Sequence, residues 1–233
     1  LRQERGKVHI DIYFVVTGRS SAEIEVIREV KPDKILLSYF YFRNKSLANF
    51  VEEIGYKPEI MMDSGAYSAW TQGRNISPVD YMKYIESNKD YIAKYVALDV
   101  VGDPELTRAY YEIMRMKGFT PIPVFHYNSD LKYLNYYIEC GETYIALGQT
   151  VPVTNKNEVV SWVNYLWMCF PQLSFHLLGS SSKVVLDCCQ IKSCDSSSWM
   201  RMAMNGKPKH IPGKSREAKI KRALWLMRHI MTS

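Results

Sequence analysis

Four side chains able to move protons stand at the ends of short apolar runs. They are Asp63 in Met62-Asp63-Ser64-Gly65-Ala66-Tyr67, Asp99 in Ala97-Leu98-Asp99, His126 in Val124-Phe125-His126, and Asp195 in Ser193-Cys194-Asp195-Ser196. Glycines close two further runs, at Gly148 and Gly179, where a flat ligand could lie close to the backbone. A lone aspartate after a strand is by default the N-cap of the next helix. Asp99 departs from that default because Asp103 is the better cap, and Asp63 precedes a Ser64-Gly65 turn that would aim its carboxylate inward. Three carboxylates divide into a nucleophile, an acid or base, and a reader of a ligand's donor edge. That division is typical of glycosyl transfer through a covalent intermediate, and other carboxylate-based hydrolyses share it. Low dielectric and neighbouring like charge would separate their pKa values.

The elements that must position these groups alternate regularly. Apolar runs at Ile10–Val16, Lys34–Phe40, Glu59–Ser64, Tyr95–Asp99, Pro121–His126, Tyr144–Gly148, Ser174–Gly179 and Ser193–Trp199 read as strands. Each is continuous rather than alternating, as in parallel strands buried on both faces. Helices lie between them. Ser20 with Glu23 forms a capping box before Ala22–Val30, and Ser77-Pro78 and Asp103-Pro104 each pair an N-cap with a first-turn proline. Asp130 opens a helix that Gly141 stops, and about Arg216–Met231 forms the last one. This repetition predicts a single compact (β/α)8 TIM barrel over residues 1–233, with an open doubly wound sheet as the alternative. No G-x-G-x-x-G follows an early strand, which disfavours that alternative. Barrel enzymes carry their chemistry at C-terminal strand ends, so Asp63, Asp99 and Asp195 are expected to converge on one active site.

At 47% hydrophobic and 13% aromatic residues, the chain is neither disordered nor fibrous. No apolar run is long enough to span a bilayer, no signal peptide opens the chain, and a cytoplasmic location is expected. The five cysteines include the vicinal pair Cys188-Cys189 and lack disulfide-framework spacing. Cys188, Cys189 and Cys194 contain no C-x-x-C pair, so they read as packing residues; neither metal nor other cofactor is expected. The net charge is +6, and basic residues gather late, at Lys207, Lys209, Lys214, Arg216, Lys219, Lys221 and Arg222. Alone, that segment reads equally as a solvated face or as a phosphate-binding patch.

Asp63-Ser64-Gly65-Ala66-Tyr67 resembles the D-S-G-G-[FY] motif of tRNA-guanine transglycosylases, barrel enzymes that exchange guanine for a 7-deazaguanine base. Tyr144–Gly148 is similar to their L-A-V-G segment, His176-Leu177-Leu178-Gly179 to their Y-L-M-G segment, and Cys194-Asp195 stands where they place the nucleophile. The resemblance covers about Glu59–Trp199. It implies Asp195 as nucleophile, Asp63 as general acid/base and Asp99 as reader of the guanine edge. Tyr67 and Leu178 would sandwich the base, Gly148 and Gly179 would approach its edge, and His126 takes the place of a base-reading Gln. Ala66 and Leu178 depart from the motifs, and no C-x-C-x-x-C zinc insertion follows the last strand. The resemblance is therefore closest to the DNA-modifying 7-deazaguanine enzymes of phages and bacteria, with DNA as partner and a 7-deazaguanine base as small-molecule substrate. Arg201, Lys207, Lys209 and Lys214 would contact the phosphates beside a flipped or single-stranded nucleotide. The alternatives are a tRNA enzyme of reduced size, a non-catalytic nucleic-acid-binding barrel and a small-molecule glycoside hydrolase.

Overall fold

A computed structural model describes residues 9–180 and 182–231. The apolar runs form strands β1 (Asp11–Val16), β2 (Lys34–Ser38), β3 (Glu59–Asp63) and β4 (Ile92–Tyr95), then β5 (Val124–His126), β6 (Tyr144–Gly148), β7 (Ser174–Leu177) and β8 (Ser193–Ser196). They belong to one eight-stranded sheet in the order β4-β3-β2-β1-β8-β7-β6-β5, with helices between successive strands. The fold is of the (β/α)8 barrel class, as the repetition in the sequence predicts. Two compact units divide the chain. One runs to Ile12 and resumes over Asp99–Asp195; the other comprises Tyr13–Leu98 and the segment from Ser196 onward.

In the first unit, β5 to β8 pair in parallel, with His126 opposite Gly148, Ala146 opposite His176, and His176 opposite Ser193. Side chains alternate faces along a strand, so the registered rows sort the residues cleanly. Phe125, Leu147, Leu177 and Cys194 share one face and are buried. Phe125 stacks on Trp162 of α8 (Lys156–Cys169) at 5.9 Å, which identifies this as the helix-covered face. Val159, Val163 and Leu166 give α8 its buried stripe, each contributing about 1.5–3 kcal/mol of burial. Burial pushes the Cys194 thiol up and the adjacent Asp195 pushes it further, so this cysteine packs as a neutral group. Among the described residues, no group of three His, Cys, Asp or Glu is placed to hold a metal ion.

In the second unit, β1 to β4 pair in parallel. The expected strand Tyr95–Asp99 lies three residues too late. β4 ends at Tyr95; the next N–H, of Val96, still donates to the Met62 carbonyl (2.9 Å), and the Tyr81 hydroxyl donates to the carbonyls of Val96 (2.8 Å) and Met62 (3.3 Å). β2 also stops early, where Tyr39–Phe42 turn into a short helix, α2, with three of its four aromatic rings buried. Ser20 caps α1 (Ser21–Val30) as expected. Glu23 bonds elsewhere than a capping box predicts: its carboxylate accepts from Thr17 N–H (2.9 Å), Thr17 Oγ1 (3.0 Å) and Gly18 N–H (2.7 Å). Helices α10 (Ser198–Met204) and α11 (Arg216–Met231) close the unit. No described helix is long and apolar enough to cross a membrane.

Candidate functional site

The face of β5–β8 opposite the helices carries the polar groups. His126, Gly148, His176, Ser193 and Asp195 fall on it by register and period-two alternation. His126, His176 and Asp195 are 2%, 0% and 5% exposed, so their charges and lone pairs must be met by protein groups. Two His–Asp pairs form there at ion-pair rather than hydrogen-bond distance. His176 Nε2 lies 3.5 Å from Asp195 Oδ1, and His126 Nε2 lies 3.7 Å from Asp99 Oδ2.

Each pair is oriented from behind. Asp195 Oδ1 accepts a 2.7 Å hydrogen bond from the Gly179 N–H, a charge-assisted contact that fixes the carboxylate. His176 Nδ1 sits 2.7 Å from Ser193 Oγ. An Nε2 lone pair facing a carboxylate would be repelled, so Nε2 carries the proton and Nδ1 accepts from the Ser193 hydroxyl. His126 follows the same logic: Gln149 Nε2 lies 3.0 Å from its Nδ1, leaving the Nε2 proton directed at Asp99. Asp99 is placed by a tight turn in which Thr107 Oγ1 accepts from Val100 N–H (2.8 Å) and donates to the Asp103 carbonyl (2.8 Å). Asp103 itself caps α6 (Pro104–Met116), as its sequence position predicts.

The glycines act differently from an open ligand shelf. A side chain at Gly148 would come within 2.9 Å of Val124 and 3.2 Å of the His126 ring, so the space beside Gly148 holds that imidazole. Gly179 has φ +69°, and a side chain there would come within 2.5 Å of Val151. Leu178 is half-buried, and its backbone is bonded to Leu147 and Thr150. Sequence reasoning gave no role to His176, Gln149, Ser193 or Tyr144. The alternation His176-x-Leu178 and Ser193-x-Asp195 was the available signal.

Asp63 and Tyr67 belong to the second unit. Asp63 Oδ2 accepts from the Gly65 N–H at 2.9 Å, a local Asx turn, and Gly65 packs so tightly on Ser38 and Phe40 that a side chain would overlap both. Tyr67 lies on α4 (Ala66–Trp70), 43% exposed and 6.0 Å from the ring of Trp70. Arg201 lies in the last turn of α10, and Lys207, Lys209 and Lys214 are exposed on the loop before α11. Arg222, only 2% exposed, anchors that loop by donating to the carbonyls of Ala203 (2.8 Å), Ile211 (3.0 Å) and Gly213 (2.9 Å).

No protein-family model matches the chain, and no curated protein matches it. Solved structures of similar fold include a 4-hydroxy-2-oxoglutarate/2-dehydro-3-deoxyphosphogluconate aldolase, at 11% identity and TM-score 0.52 over 94% of this chain and 93% of that one. A 2,3-dimethylmalate lyase of the PEP mutase/isocitrate lyase superfamily aligns at 12% identity and TM-score 0.51, over 97% of this chain and 93% of that one. The carboxyl transferase domain of Rhizobium etli pyruvate carboxylase, solved with oxalate, aligns at 12% identity and TM-score 0.58 over 97% of this chain. The chain spans about half the length of that structure, 47%.

These likenesses correct the transglycosylase resemblance. The similar folds are aldolase, lyase and carboxyl transferase barrels rather than guanine transglycosylases, so base exchange falls, and with it DNA, tRNA and a 7-deazaguanine base as partners. The non-catalytic nucleic-acid-binding barrel falls on the same ground. The physical reason lies in the motif itself. Asp63-Ser64-Gly65 satisfies a local turn, and a turn of that geometry recurs wherever a strand bends sharply into a helix. Arg201, Lys207, Lys209 and Lys214 revert to the other reading of the basic segment, a solvated surface.

Proposed function

We propose that the chain is a small-molecule enzyme of the (β/α)8 class that moves a proton at carbon beside a carbonyl or carboxylate, in an aldolase- or lyase-type reaction. The observation carrying this reading is the His176–Asp195 pair, buried at a strand end with one carboxylate oxygen held by the Gly179 N–H. A carboxylate so oriented can take a proton from a substrate carbon while the imidazole Nε2–H faces it. The Asp99–His126 pair supplies a second proton-handling centre in the same unit. Opposed acid and base are what carbon–carbon cleavage beside a carbonyl requires. Three strand spacings of about 4.8 Å separate β5 from β8, so the two pairs stand on the outer strands of one four-stranded run. The ligands and substrates named for the similar folds (4-hydroxy-2-oxoglutarate, oxalate and 2,3-dimethylmalate) are all carboxylic acids. Cys194, buried and outside any disulfide, favours a reducing, cytoplasmic setting.

The test is a cleavage screen. The protein is incubated with 4-hydroxy-2-oxo acids and branched malates, and release of the 2-oxo acid or aldehyde fragment is followed. Turnover that Asp195→Asn lowers by about 10²-fold or more supports the reading. Equal turnover by wild type and Asp195→Asn, or none across the panel, contradicts it.

A further inference from the structure

A chain of hydrogen-bonding groups runs behind Asp195 to the opposite end of the same strands. Tyr144 opens β6 and is half-buried, beside exposed Thr143 and in register with exposed Ser174, so the residue borders solvent-exposed positions at the N-terminal end of the sheet. That hydroxyl is hydrogen-bonded to Ser193 Oγ, which is 1% exposed. Ser193 Oγ lies 2.7 Å from His176 Nδ1, and His176 Nε2 lies 3.5 Å from Asp195 Oδ1. The Tyr144 ring packs edge-on to the His176 ring, with centroids 6.5 Å apart. A buried serine and a fully buried histidine in a core otherwise built of Ile145, Ala146, Phe175 and Leu177 are costly unless they are bonded in series, as they are here.

We infer that Tyr144, Ser193 and His176 form a proton relay joining solvent at the N-terminal end of β6 to Asp195 at the C-terminal end of β8. The Tyr144 proton passes to Ser193 Oγ as water replaces it, the Ser193 proton passes to His176 Nδ1, and the His176 Nε2 proton passes to Asp195. One proton enters and one arrives; each oxygen keeps its bond count, and the imidazole changes tautomer. When Asp195 next takes a proton from substrate, the same path run outward restores the first tautomer. The 3.5 Å step is the longest and closes to hydrogen-bond reach with a shift of about 0.5 Å, the kind of tightening that accompanies substrate binding. Tyr144, Ser193 and His176 are positioning and relay residues; of the four groups in the chain, Asp195 is the one that would touch substrate.

The relay rests on the proposed role of Asp195 but is tested without substrate. Nitrogen-15 NMR of the intact protein reads the tautomer of His176 and the rate at which its ring proton exchanges with solvent. His126, in the same unit but off the chain, is the internal reference. Tyr144→Phe and Ser193→Ala are expected to slow exchange at His176 by about tenfold or more, to leave His126 unchanged, and to be relieved at position 193 by Ser193→Thr. Equal His176 exchange in wild type and both variants would overturn the relay. Relay exchange without turnover of any carboxylic acid would refute the proposed reaction and leave the relay standing.

Discussion

Gly179→Ala isolates the contact that holds Asp195. Gly179 has φ +69°, its N–H donates to Asp195 Oδ1 at 2.7 Å, and a Cβ would come within 2.5 Å of Val151 Cγ2. The left-handed backbone alone costs a non-glycine residue about 1–2 kcal/mol. Val151 is 44% exposed and can give way in part, but the backbone must tilt to complete the relief. The tilt weakens a hydrogen bond to a buried carboxylate, a contact of about 1.5–3 kcal/mol. The sum is about 3–4 kcal/mol, which for a chain of this length lowers the melting temperature by about 10 °C. Gly206→Ala is the matched control: φ is +76°, and nothing lies within 4 Å of the added carbon. It should lose only the conformational part, less than half as much. Calorimetry on the two variants decides the matter. Equal shifts, or a Gly179→Ala shift within about 2 °C of wild type, would refute the claim that this glycine fixes the carboxylate.

Arg222→Ala removes a buried fork that holds three carbonyls, and should destabilise the protein by about 3 kcal/mol or more. Limited trypsin digestion should then cut faster after Lys209 and Lys214 than in wild type; unchanged cleavage would show that the loop holds without Arg222. Burial pushes the Glu23 carboxyl up, only partly offset by its hydrogen bonds to Thr17 and Gly18. Its contribution is therefore complete below the ordinary value of 4.5 and falls as pH rises through the raised one. Relative to Glu23→Gln, wild type should melt progressively lower from pH 4.5 towards neutrality, and a flat difference would contradict this. Glu59 has the opposite sign. Burial alone would raise it, but hydrogen bonds from Lys94 and Tyr13 together leave it lowered. Its contribution is present above the ordinary value and is lost as pH falls through the lowered one, which Lys94→Met should erase.

What was legible in the sequence follows physical range. Strand positions were readable because parallel strands buried on both faces must be continuously apolar, and Tyr144–Gly148 matches the run of residues 144–148 to the residue. Caps at Ser20, Asp103 and Asp130 were readable because capping is local. The bounds of β4 were not, since they are set by pairing with β3, whose register shifts between Ile60 and Met61, and nothing local in residues 92–99 marks them. Pairing of Asp99 with His126 and of Asp195 with His176 is set by strand neighbours distant in sequence, so the acids and His126 were visible, whereas their pairing and the role of His176 were not. The short motifs misled for a related reason: a strand-end turn constrains three or four residues identically whatever reaction follows.

The proposed chemistry stands or falls on whether Asp195 moves a proton to and from carbon. Wild type and Asp195→Asn, incubated in heavy water with pyruvate, 2-oxobutyrate and 4-hydroxy-2-oxoglutarate, can be followed by proton NMR at the carbon beside the carbonyl. The account predicts exchange of that hydrogen for deuterium by wild type, slowed about 10²-fold or more in Asp195→Asn. Exchange no faster than in buffer, or equally fast in both proteins, would contradict it.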